Sequence, residues 1–310
     1  FSLVAGMAAS LGVGILLLTN GIARTFDLNS NVFLMAIVTI LLVSTFIISS
    51  VSGLQRGIAK LSSLNFSLFI VLISFFIFNL NFTEVFPLVG KSILHFFTNG
   101  LSDSLLYFKE GNKQWATEWT VFNWSNWMAW TPITALFLGR IGYGRTIRQF
   151  INVNLLLPSL FGIAWLSIVS GTALISNKLN DNLLVHFLQK EDGVSNVIFY
   201  LINELTLGNI LVLVFLLTVF LSFVTAADSN TDAMSNLSTK NFTSTDTETP
   251  KGIKIIWGIF IGVLAWVMVS FTTGGKASGL EGVKILSNMG GIFALFILIG
   301  VAVNMIFYLL

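Results

Sequence analysis

The feature that most limits what this chain can fold into is a succession of apolar runs, several at least about 18 residues long and almost free of charge. Helices of that length cross a hydrocarbon core of about 30 Å. Over 310 residues, 55% are hydrophobic and only 10% charged, a balance foreign to soluble domains. The chain is therefore read as an all-α, polytopic membrane protein, with the lipid bilayer as its surroundings. Eight spans are expected, at about residues 1–24, 32–52, 63–80, 118–139, 149–174, 208–227, 253–272 and 284–310, forming one transmembrane domain over 1–310.

Two stretches break the pattern. Residues 84–117 interleave Phe86, Leu88, Ile93, Phe97 and Leu101 with Lys91, His95, Asp103 and Lys109. That spacing predicts an amphipathic helix lying in the membrane interface. Residues 176–207 are again mixed and polar, with Lys178, Asp181, Lys190, Glu191 and Glu204. Basic loops at Arg56/Lys60, Arg140/Arg145/Arg148 and Lys240/Lys251/Lys254 alternate with these two segments. By the positive-inside rule the basic loops face the cytoplasm and segments 84–117 and 176–207 face outward.

The same residues exclude several chemistries. With no Cys there are no disulfides, thiolate metal sites or Cys nucleophiles. His95 and His186 lie far apart, so no metal site is expected. A net charge of +2, with its basic residues in loops, does not imply a nucleic-acid partner. No H-E-x-x-H, no G-x-S-x-G and no cluster of acids marks an enzyme.

The most informative stretch is WTVFNWSNWMAWTPITALFLGRIGYGRTIR, Trp119 to Arg148. The chain has 8 Trp, and those at 115, 119, 124, 127 and 130 crowd this region. Trp124, Trp127 and Trp130 step by three and cover an arc of about 120° on a helix. Asn123 and Asn126 flank Trp124, and Pro132 removes a backbone N–H at membrane depth. A helix broken or distorted there and lined with indoles suits a cation without a counter-charge, since ring faces attract quaternary ammonium groups. An aromatic belt at the membrane interface is the plainer reading of the same residues.

Three separated stretches carry a resemblance. The Trp helix with its loop, GRIGYGRTIRQF, resembles the signature helix and arginine-rich loop of the betaine/carnitine/choline transporters. VTAADSNT, Val224 to Thr231, is similar to the T-S-A-D-S motif of that family. SLGVGILLLTNGI and VSGLQRGIAKLSSLN resemble its fifth helix and the loop between its sixth and seventh helices. The resemblance implies twelve spans in a LeuT-type fold of inverted repeats, of which this chain is helices five to twelve. The chain opens at Phe1 inside an apolar helix, so the expectation is a longer protein whose first spans precede it. The alternative is a remnant that does not transport alone.

The resemblance also assigns roles. It implies a secondary active transporter of a quaternary-ammonium osmolyte such as glycine betaine, carnitine or choline, working by alternating access and assembled as a homotrimer. Trp127 and Trp130 match substrate-binding positions, and Trp124 and Phe122 match neighbouring aromatic positions. Asn126 stands where many betaine carriers have another Trp. It adds an amide that retunes the substrate or serves as interhelical glue. Thr225 and Ser222 are the candidate ion ligands. Against sodium coupling, the Ser of the motif is Ala226, two Thr of the fifth helix are Leu3 and Met7, and a Phe after the proline is Ile133. Hard cations need oxygens. Both sodium sites are therefore read as impaired; no cofactor is expected, Na+ and H+ are the candidate coupling ions, and a sodium-independent exchanger or a non-transporting sensor or remnant is the alternative. Asp228 and Pro132 are assigned to gating or structure.

Overall fold

The structure is a computed structural model that describes residues 2–52, 58–106, 116–179, 183–188, 193–239, 249–273 and 279–309. Among these residues it is helical with no strand. The helices are α1 (Ser2–Thr25), α2 (Val32–Ser52), α3 (Ile58–Phe78), α4 (Phe82–Leu106), α5 (Phe122–Ile141), α6 (Ile147–Ile151), α7 (Leu157–Leu179), α8 (Leu183–Leu188), α9 (Gly193–Asn203), α10 (Gly208–Leu237), α11 (Lys251–Thr273) and α12 (Gly279–Leu309). Two π-helical turns, Ala116–Val121 and Asn152–Leu156, lead into α5 and α7.

Among the described residues seven stretches are long and apolar enough to cross a membrane, by length and composition. They correspond to seven of the eight expected spans. The eighth, the tryptophan helix α5, does form a helix of 20 residues. Asn123, Ser125, Asn126 and Thr131 make it too polar to meet the same measure. The boundary of α10 also differs from expectation. The span was expected to end near 227, yet the helix continues to Leu237 through the polar residues of VTAADSNTDAMSN.

Contacts divide the chain into two units. The first takes Phe1–Ser63, Asn112–Ile141 and Val219–Leu310. Its centre is α1, which packs against α2, α5, α11 and α12. Lipid gives no hydrophobic drive for helices to associate, so close packing through small residues must supply it. A Cβ at Gly12 of α1 would lie 2.9 Å from Val283 of α12, and one at Gly14 would lie 2.6 Å from the Phe223 ring of α10. The α2–α11 pair uses the same device, with Ile47 seated over Gly258.

The polar end of α10 is helical because its side chains find partners inside this unit. The Ser49 hydroxyl of α2 donates to Asp228. Asp232 pairs with Lys254 of α11 at 2.8 Å and accepts from the Thr249 hydroxyl at 3.2 Å. Lys254 also donates to the Ser50 carbonyl at 3.1 Å. Asp228, Asp232 and Lys254 are all buried. Lys254 was expected in a basic loop and instead ties α11 to α2 and α10.

The second unit takes Leu64–Gly111 and Gly142–Thr218. Phe69 and Phe76 of α3 meet the Trp165 ring of α7 edge-on, with centroids 5.2 and 6.4 Å apart. Val85 of α4 fits over Gly171 of α7. Thr146 opens α6 with a reciprocal capping box to Gln149. The π turn before α7 has a local cause. Pro158 has no N–H to give, and the Leu157 N–H reaches five residues back to the Asn152 carbonyl. Leu207 takes a left-handed φ of 63° at the turn into α10. The Thr206 hydroxyl beside it donates to Asn79 at 3.0 Å. The expected helix at 84–117 is observed over Phe82–Leu106, with Phe86, Leu94, Phe97 and Leu101 exposed.

Removing one member of a buried ion pair strands the other. Lys254→Ala is expected to lower stability by about 3–5 kcal/mol, whereas Lys254→Met with Asp232→Leu recovers most of the loss. Thermal unfolding of the detergent-solubilised protein reads both; equal losses from the single and double variants would refute the pairing.

Candidate functional site

The candidate site is built on α5. Its three stepped indoles do not share one environment. Trp124 and Trp127 are 62% and 66% exposed, while Trp130 is half-buried. The Trp130 indole N–H donates to the Ser10 hydroxyl of α1 at 2.7 Å, which fixes that ring. The Trp127 carbonyl accepts from Thr131 at 2.7 Å, so the backbone beneath Trp127 is held as well. One indole is therefore anchored by its N–H, and two present open faces.

The opposite side of α5 is closed by α12. The Ser287 hydroxyl donates to the Asn126 amide oxygen at 2.9 Å. Gly291 abuts the Ser125 backbone, and a Cβ at Gly290 would lie 3.3 Å from the Ala129 methyl. Above these contacts the Lys284 ammonium lies 4.9 Å from the Trp119 ring centroid and 5.9 Å from that of Phe122. Phe122 and Asn126, four residues apart, share the face that meets α12, and the exposed tryptophans point elsewhere. The structure thus engages Asn126 in a bond between helices.

Of the break or distortion expected at Pro132, the break is not observed. The helix runs through it to Ile141, and the distortion lies upstream, in the π turn Ala116–Val121. Losing one N–H leaves the Met128 carbonyl without its usual donor, a local defect that the surrounding turns tolerate.

The candidate ion ligands lie on α10. Thr225 turns its hydroxyl to its own helix, donating to the Leu221 carbonyl at 2.9 Å and the Ser222 carbonyl at 3.1 Å. Ser222 is half-buried. Asp228 is fully buried and joined to Ser49, and its second oxygen has no partner among the described residues. At Met7 of α1 the thioether sulfur accepts from the Asn230 amide at 3.3 Å. Met7 and Ser10 are three residues apart on α1, so one face of that helix meets both the polar stretch of α10 and Trp130.

Lys284 and Ser287 were not singled out from the sequence. Only Lys284 carried a signal, as the one basic residue in the 31-residue apolar helix α12. Among the described residues no group of three or more His, Asp and Glu could hold a metal ion. What the arrangement can do is hold a cation on ring faces; of its polar groups, Asn126, Asn230 and Ser10 are engaged in bonds between helices.

Comparison with known proteins bears on this geometry. The profile of the betaine/carnitine/choline family of transporters matches residues 1–309. The chain is 30% identical to the osmo-dependent choline transporter BetT2 of Acinetobacter baylyi, over 94% of this chain and 42% of that protein. It is 33% identical to the betaine/ectoine transporter LcoP of Corynebacterium glutamicum, over 91% of this chain and 44% of that protein. An ectoine/hydroxyectoine transporter of Virgibacillus pantothenticus is 31% identical, over 92% and 54%. The chain spans about half the length of the curated relatives it matches.

A double-mutant cycle on Asn126→Ala and Ser287→Ala is expected to give a coupling of about 0.5–1.5 kcal/mol in thermal stability. Strict additivity would show that the two side chains do not act as a pair.

Proposed function

The chain belongs to the betaine/carnitine/choline transporter family, and from that premise we propose that it forms the greater part of the binding path of a secondary transporter for a small quaternary-ammonium or related osmolyte. It is a multi-pass membrane protein and a transporter, not an enzyme. The observation that carries the proposal is the pair of exposed indole faces, Trp124 and Trp127, next to an indole anchored through Ser10. Cation–π contact holds the ammonium, at roughly 0.5–2 kcal/mol or more per ring once water is excluded. Alternating access moves it across the bilayer.

For coupling, a sodium-independent exchange mode is favoured by one contact. The position at Met7 offers a thioether, and that sulfur is engaged with Asn230. The Thr225 hydroxyl, donating into its own helix, adds a single oxygen. Neither presents the oxygen-rich shell that Na+ requires. We extend the proposal to a homotrimer whose copies meet on the exposed face of α4, which carries Phe97 and Leu101.

Uptake of labelled glycine betaine, carnitine and choline into proteoliposomes holding the full-length protein tests the transport reading. Trp127→Ala is expected to raise KM about tenfold or more, and Trp127→Phe to keep most of the affinity. Uptake that needs internal substrate and ignores a sodium gradient supports exchange; sodium-driven accumulation refutes it. No uptake of any of the three, with Trp127→Ala indistinguishable from the parent, moves the reading to a non-transporting sensor. Charged substitutions at Phe97 and Leu101 are expected to lower the native mass before they alter affinity. An unchanged mass would refute the α4 contact.

A further inference from the structure

We propose that the Asp228 carboxyl is a proton-binding site reached from the cytoplasmic side, and that the proton it carries closes the joint between α2, α10 and α11. Three charged groups meet at this joint among the described residues: Asp228 and Asp232 of α10, and Lys254 of α11. From α2 come the hydroxyls of Ser49 and Ser50, and from α1 comes Met7, bonded to Asn230. With all three ionised the joint would hold two negative charges and one positive. The ammonium is already committed: it pairs with Asp232 at 2.8 Å and donates to the Ser50 carbonyl at 3.1 Å. That leaves Asp228, fully buried, as the group without a counter-charge. Burying an unpaired charge is costly, so the joint calls for one more positive charge.

The hydrogen bonds show where that charge fits. Ser49 donates to Oδ2 of Asp228, while Oδ1 is buried without a partner. The Ser50 hydroxyl lies beside the carboxyl without closing a hydrogen bond. Turned toward Oδ1, that hydroxyl would add a bond but no charge. A proton on Oδ1 adds both, because a protonated carboxyl has one O–H to donate and the Ser50 oxygen accepts it. A proton needs one oxygen, whereas Na+ needs a shell of them. Access is short. Ser49 and Ser50 lie within one turn of the end of α2 at Ser52, about 5 Å along the axis. The loop that follows carries Arg56 and Lys60 and faces the cytoplasm by the positive-inside rule. A proton leaving Oδ1 passes to water on that side, and its bonding electrons stay on the carboxylate. The unpaired charge then draws Lys254 away from Asp232, which weakens the ties of α10 to α11 and α2. The closed joint is the form that holds the proton, so raising the pH opens it.

The test uses the purified full-length protein in nanodiscs, scanned from about pH 6 to about pH 9. Infrared spectroscopy reads the carbonyl band of a protonated carboxyl. Hydrogen exchange reads the backbone of α10 from Asp228 to Leu237, corrected for the intrinsic pH dependence of amide exchange. The parent is expected to lose the band as the pH rises, while exchange of that segment increases at least about threefold. Asp228→Asn, which keeps the shape of the neutral acid, is expected to lack the band and to hold the segment closed at every pH. Lys254→Met with Asp232→Leu is expected to retain the band, since Asp228 is untouched. A parent whose band is absent or ignores pH overturns the proposal. So does a band that persists in Asp228→Asn or vanishes from the double variant, and so does exchange that follows one pH course in the parent and in Asp228→Asn. A segment closed by added Na+ at fixed pH, and indifferent to pH, overturns the choice of a proton. If Asp228→Asn fails to fold, the parent band and the double variant decide it. Neither readout involves a solute, so failure of the transport reading leaves this assignment standing.

Discussion

The constraint on which the first unit depends is how closely three helices approach one another. α1, α5 and α12 meet where Gly6, Ala129 and Gly290 stand in place of larger side chains; a Cβ at Gly6 or at Gly290 would come within about 3.0–3.3 Å of the Ala129 methyl. Such packing leaves no room on that side for indoles. The tryptophans of α5 are thereby placed on its other flank, and Trp130 reaches around only far enough for its N–H to find Ser10. The tryptophan face of α5 is in this sense the residue of its packing face. Small side chains decide where the helix touches, and large aromatic ones occupy what is left.

A second set of contacts works by polarity. The end of α10 carries Asp228, Asn230, Thr231, Asp232 and Ser235, all buried, in a helix otherwise rich in Leu, Val and Phe. Buried polar groups are tolerated when bonded. Here the bonds run to α2 through Ser49, to α11 through Lys254, which itself donates on to the Ser50 carbonyl of α2, and to α1 through Met7. Each ties one helix to another, so the polar stretch works as a clasp whose geometry is more specific than apolar packing alone.

How much of this could be read beforehand depended on the kind of signal. Long apolar runs announce helices, and α1, α2 and α11 lie close to where they were expected. The tryptophan spacing marked α5, and the match to the family over residues 1–309 agrees with the resemblance read from its motifs. Three features escaped for physical reasons. Polar residues past Ala227 read as the end of a span, because partners on α2 and α11 are invisible along a single chain. Pro132 read as a break, because the tolerance of neighbouring turns is not written in its own sequence. Asn126 read as ligand or as bridge between helices, and its partner Ser287, far away in the sequence, is invisible along a single chain.

The modest polarity of α5 bears on how the protein is made. A helix carrying Asn123, Ser125, Asn126 and Pro132 partitions poorly into lipid on its own, because polar side chains raise the cost of insertion. Its chief neighbour, α12, lies far downstream in the chain and is synthesised well after it. During translation α5 therefore waits beside α1 with its interhelical face unmatched. It becomes fully at home in the bilayer only when α12 arrives with Ser287, Gly290 and Gly291. The packing face of α5 is thus completed as a product of assembly and not of insertion.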